Sequence, residues 1–231
     1  MNDQLPISDL AAQRQIPLWL KLAYTAFVVV LVPVYWTSYG PTNFLYFCDL
    51  ALFFTLGALW LESPLLASMP AVGILFPQSL WIFDFLAEAC GFKATGMTGY
   101  MFNPENPLLT RGLSFFHFWL PILLVWLVWR LGYDRRALKA WTGLAWGLVM
   151  VCYLWMPAPP PAADHPLQPV NINYVYGLSD ETAQTWMPQP LYVGLLMIVL
   201  PAGIFLPTHL VLTRMFCRPD PDTATARAAG A

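Results

Sequence analysis

The sequence predicts an all-α integral membrane protein, a six-transmembrane-helix bundle, and three observations carry that expectation. Of 231 residues, 58% are hydrophobic and 10% charged, where a soluble domain carries about 25% charged residues. Mean hydropathy is +0.56. The apolar residues fall into runs of about 20, enough for a helix to cross a ~30 Å hydrocarbon core.

Residues 1–16 (MNDQLPISDLAAQRQI) are polar and include Asp3 and Asp9. They make a poor basic leader, and the apolar stretch behind them is too long for a signal-peptide core, so 17–36 is expected as an uncleaved first span. The runs 43–61, 64–87, 108–131, 138–156 and 190–216 come next. The first two connections are short. Those at 88–107 and 157–189 are longer, and the latter opens on the Pro-rich MPAPPPAADHP, which favours extended chain over helix. Three units result: a polar N-terminus over 1–16, a membrane domain over 17–216, and a tail over 217–231 with the composition of a disordered segment.

Lys and Arg set the orientation. Arg130, Arg135, Arg136 and Lys139 crowd the fourth connection, Arg214, Arg218 and Arg227 lie at and beyond the end of the last run, and Arg14 and Lys21 flank the start of the first. The 157–189 connection has no Lys or Arg. Both termini are therefore expected in the cytoplasm, with 37–42, 88–107 and 157–189 outside; Lys93 and Arg111 dissent mildly. The net charge of −2 says nothing about nucleic acid, but no basic run supports nucleic-acid binding, and the expected partners are membrane lipids, not nucleic acid.

Chemistry-bearing residues are few. His117 lies well inside LSFFHFWLPILLVWLVWRL, and an ionisable group held in hydrocarbon is paired or functional. At about 1.5 Å per residue, Cys48 and Asp49 lie roughly 8–9 Å below the outer surface, Asp84 roughly 5 Å and His117 roughly 13 Å. All four belong to the outer half. Cys48 is the candidate nucleophile and His117 its base, with Asp49 or Asp84 orienting the imidazole. Asn43, Tyr46, Asn171 and Asn173 are candidate substrate-binding donors, and Tyr153 is a further one. The bland alternatives are a cysteine that fills space and carboxylates that cap or cross-link helices.

No cofactor or metal is expected. Cys48, Cys90, Cys152 and Cys217 show no CxxC spacing, no HxxxH or ExxH pair exists, and His117, His165 and His209 lie too far apart in depth to ligate a haem together. Prolines 33, 70, 77, 121, 201 and 207 fall within spans and predict kinks beside cavities.

The segments NFLYFCDLALFF and SFFHFWLP resemble a family of multi-span membrane acyl-handling proteins. It comprises a vertebrate phospholipid-remodelling transmembrane acyltransferase, the androgen-induced fatty-ester hydrolases and an uncharacterised bacterial branch. The resemblance implies Cys48 as nucleophile, His117 as base, lipid esters as substrates and, through the bacterial branch, an inner-membrane location. The expected activity is thus that of a lipid acyl hydrolase or acyltransferase with an outward-facing intramembrane pocket. Two alternatives stay open. One is a transporter in which Asp49, Asp84 and His117 relay protons or cations, with Gln78 and Ser79 as the deeper polar groups. The other is a non-catalytic membrane subunit.

Overall fold

A computed structural model describes residues 16–163 and 167–216. The N-terminal residues before Ile16, His165, Cys217 and the tail over 217–231 lie outside the described residues. Within them the chain is helical, with no strand. Six principal helices run in order: α1 Leu18–Tyr39, α2 Phe47–Leu61, α3 Pro64–Ala89, α4 Leu108–Leu131, α5 Ala137–Trp155 and α6 Gln189–Phe216.

Five of these are long and apolar enough to cross a membrane; α2 is the exception. It has 15 residues, a rise of about 22 Å against a hydrocarbon core of ~30 Å. The expected run from 43 does not continue as one helix. Pro41–Leu45 is a 3-10 turn, Tyr46 is extended at φ −61°, ψ 139°, and α-helix begins only at Phe47. Cys48 is therefore in the first turn of α2 and not a turn and a half inside a helix.

The tight Glu62-Ser63 connection makes α2 and α3 an antiparallel hairpin. Glu62 sits in the left-handed region at φ 48°, uncommon for a residue with a side chain. Its carboxylate accepts from Lys21 Nζ at 2.7 Å and from the Ile16 N–H at 3.0 Å, tying the start of α1 to this turn. At the same end Asp134 N–H donates to Ser68 Oγ at 3.0 Å, and Tyr133 pairs with His209 Nδ1 at 2.6 Å. Arg130, Arg135, Arg136, Lys139 and Arg214 lie here too, making it the basic end of the bundle. The two long connections close the opposite, loop end.

α3 is the central helix, packed against α2, α4, α5 and the last part of α6. Two of its neighbours carry defects with local causes. Pro201 has no N–H for the carbonyl of Met197, four residues back, so α6 runs as a π-helix over Leu200–Phe205. The Trp146 indole N–H of α5 takes up that carbonyl at 2.7 Å. α4 breaks at Phe115, whose N–H turns to Gly112 O while Phe118 N–H turns to Phe115 O. The Ser114 carbonyl is thereby released from the helix ladder.

Candidate functional site

The break in α4 builds the site. Nδ1 of His117 lies 2.8 Å from the released Ser114 carbonyl. A carbonyl can only accept, so Nδ1 carries the proton and, in the neutral ring, Nε2 keeps its lone pair. The imidazole is clamped between rings: Trp81 of α3 stacks on it at 4.6 Å and 18°, and Phe116 at 4.1 Å. Nε2 makes no hydrogen bond to any described residue.

Ser114 also joins a second group. Its hydroxyl donates to Thr110 O at 3.0 Å, which leaves its oxygen to accept from Tyr35 OH at 2.7 Å. Ser114 and Tyr35 are both buried. The Tyr100 phenol lies beside Ser114 and Trp81 and within electrostatic reach of Cys48 and Asp49. None of Tyr35, Tyr100 and Ser114 stood out in the sequence. Hydroxyls in apolar runs have no diagnostic spacing, although the place of Ser114 three residues before His117 was a usable signal.

On α2, the Cys48 thiol is half-buried and points at Asp49 Oδ2, 3.9 Å away. That oxygen accepts from Asn43 Nδ2 at 3.1 Å, while Oδ1, equally buried, has no partner among the described residues. Cys48, Asp49 and Asn43 thus form one cluster, and His117 and Ser114 another. Helices α2 and α4 touch, but no hydrogen bond among the described residues joins the two clusters: neither Cys48 nor Asp49 bonds to His117, whose imidazole is oriented by the Ser114 carbonyl instead of a carboxylate. Tyr46 completes the first cluster, within reach of Cys48, Asp49, Tyr174 and Asp180.

Asp84 sits elsewhere. Its carboxylate accepts from the N–H groups of Thr95 (2.6 Å), Gly96 (3.2 Å) and Thr98 (2.9 Å), and from Thr98 Oγ1 at 2.8 Å. That hydroxyl is shared with Glu88 at 3.1 Å. The geometry makes Asp84 the anchor of the 90–107 connection. Asp84→Ala is expected to lower stability by about 3 kcal/mol, since several charge-assisted bonds go at once. It should also open the connection to trypsin at the exposed Lys93. Unchanged digestion at Lys93 would contradict the anchoring role.

Asn171 and Asn173 are engaged with the main chain. Asn173 Oδ1 accepts from Phe47 N–H at 3.1 Å and Nδ2 donates to Leu45 O at 2.9 Å, bracketing the extended Tyr46. Asn171 Nδ2 reaches Gly177 O and Ser179 O, and its oxygen accepts from Tyr176 N–H at 2.7 Å. Both asparagines adopt positive φ, a conformation asparagine tolerates better than most residues. They fold the 157–188 connection down onto the start of α2. Burial pushes the Asp180 carboxyl in this connection above the usual carboxylate range, the Asn171 amide opposing it.

Cys48, Cys90 and Cys152 are free thiols. No group of three or more His, Cys, Asp or Glu side chains suited to a metal occurs among the described residues. A separate groove of about 610 Å³ runs along α1 and α4, lined by Trp19, Tyr24, Phe27, Trp119, Ile122 and Trp126 among others. Comparison with known proteins returns no match: no family model, no curated protein and no solved structure matches the chain.

Proposed function

We propose that the protein is a lipid acyl hydrolase or acyltransferase that works through a thioester on Cys48. The observation that carries this reading is the held imidazole: a ring fixed through Nδ1 by the Ser114 carbonyl, with Nε2 left as a base, on a helix that touches the one carrying the Cys48 thiol. The resemblance of the Cys48 and His117 segments to acyl-handling membrane proteins supports the same pair. The chemistry runs in two balanced steps. Nε2 takes the thiol proton, and the thiolate attacks the ester carbonyl carbon. The C–S bond forms, the ester C–O bond breaks, and Nε2 returns the proton to the leaving alcohol. Water or an acceptor alcohol then gives its proton to Nε2 and attacks the thioester. The C–S bond breaks, and the proton goes back to sulfur. Tyr46 and Asn43 line the cluster where the lipid ester would sit.

In this reading α2 and its preceding turn form a sixth membrane-inserted segment, and the basic end faces the cytoplasm by the positive-inside rule. Both termini then lie on the cytoplasmic side of a bacterial plasma membrane, and the Cys48 and His117 clusters serve the outer leaflet. A proton or cation relay is less well supported. Between Ser68 and Gln78 the buried residues of α3 are Met69, Pro70, Ala71, Val72, Gly73 and Ile74, which offer no side-chain route to the basic end.

The test is lipid mass spectrometry on purified protein incubated with mixed phospholipids and fatty esters. Consumption of an ester with release or transfer of its acyl chain is expected. An unchanged lipid profile across the panel, from folded protein, would refute the enzyme reading.

A further inference from the structure

Gln78 is 2% exposed, and neither atom of its carboxamide has a hydrogen-bond partner among the described residues. Burying an amide without a partner is costly, so such a group points to a ligand or a water that completes it. Its position is informative. Cys48 lies fourteen residues before Glu62 and Gln78 fifteen after Ser63. In an antiparallel hairpin those counts place both at about 21–22 Å from the turn. On α3, Gln78 shares the stripe of Ile74, Trp81 and Phe85, spaced at i−4, i+3 and i+7. Trp81 on that stripe stacks on His117. Gln78 is therefore level with the thiol and one turn below the imidazole, on the face that His117 covers. The buried, unpartnered Oδ1 of Asp49 lies at the same level on α2.

We propose that Gln78 Nε2 donates to the carbonyl oxygen of the lipid ester and stabilises the oxyanion formed when Cys48 attacks. This rests on the acyl-transfer reading. A carboxamide suits the task because it offers a neutral donor, fixed before the reaction, at a buried position. Its Oε1 accepts in turn from the hydroxyl of the attacking water or alcohol, so that an ester meeting a hydroxyl satisfies both atoms. The substrate class is accordingly an oxygen ester with its carbonyl carried to the depth of Cys48.

The experiment compares wild type, Gln78→Leu and Gln78→Glu in detergent, with a p-nitrophenyl ester of a medium-chain fatty acid as chromogenic probe. Gln78→Leu is expected to lower kcat roughly 10²–10³-fold, the loss seen when one oxyanion donor is removed, with KM unchanged. The melting temperature should stay level or rise, because leucine removes an unpartnered buried amide. Gln78→Glu, close in shape but without the N–H donors when ionised, should lose kcat as well. Three results overturn the proposal. A Gln78→Leu variant with wild-type kcat removes Gln78 from the reaction and leaves the thioester chemistry standing. A fall in melting temperature in both variants assigns Gln78 to the scaffold. Wild type that cleaves no ester sinks the acyl-transfer reading and this inference with it.

Discussion

His117→Ala is expected to slow ester turnover by roughly 10²–10⁴-fold, the range of a positioned general base, and Cys48→Ala to abolish it. The two losses differ in kind. Without the imidazole, the thiol still stands beside Asp49 at 3.9 Å and can acylate slowly. Without the thiol no thioester forms. A third variant separates base from scaffold: Ser114→Ala keeps the carbonyl that holds Nδ1 but removes the hydroxyl that Tyr35 meets at 2.7 Å. It should cost stability, about 1 kcal/mol for the lost bond, and leave kcat near wild type. Steady-state rates on one lipid ester, with melting temperatures for each variant, check all three. Full activity in His117→Ala would contradict the role given to Nε2.

Gly73→Ala is expected to destabilise the fold, against the usual sign for this change. In most helix interiors this change stabilises, by about 1 kcal/mol, because alanine is the better helix former. Here the new Cβ would lie 1.9 Å from both Cε2 and Nε1 of Trp141. That indole is fully buried and set between Phe47 and Phe54, with ring centroids at 6.2 and 5.9 Å. It has no open side to retreat to. Overpacking of this kind costs about 1–3 kcal/mol, enough to reverse the sign. Gly143→Ala on α5 is the control, since its Cβ meets nothing within 4 Å. Thermal unfolding in detergent should show Gly73→Ala melting below wild type and Gly143→Ala at or above it. A stabilised Gly73→Ala would contradict the packing of α5 on α3.

The all-helical, membrane character was legible because it rests on run length and composition, which tertiary contacts cannot undo. The run 108–131 has the bounds of α4, and the runs 64–87 and 138–156 lie within two residues of α3 and α5 at each end. The start of α2 was not legible. Asn43, Phe44, Leu45 and Tyr46 read as one apolar run with the α2 residues, and the reason for the break is Asn173, 126 residues away, which holds Phe47 N–H. The π-helix of α6 was foreshadowed by Pro201, but its support by Trp146 required knowing that α5 lies alongside. In the site, Cys48 and His117 were visible as ionisable groups in apolar runs. The use Asp84 makes of its oxygens was not, because its partners are mainly backbone N–H groups of a connection without regular structure. Gln78 was visible as a polar residue in a span, whereas its lack of a partner among the described residues belongs to three dimensions alone.

The central claim is a thioester on Cys48, and intact-protein mass spectrometry tests it most directly. Wild type would be mixed briefly with a phospholipid or fatty ester of known chain, quenched in acid and mapped by peptide. The account expects a mass increase equal to one acyl group, on the peptide containing Cys48, removed by hydroxylamine and absent from Cys48→Ala. Turnover that proceeds with Cys48 unmodified, and that persists in Cys48→Ala, would contradict it.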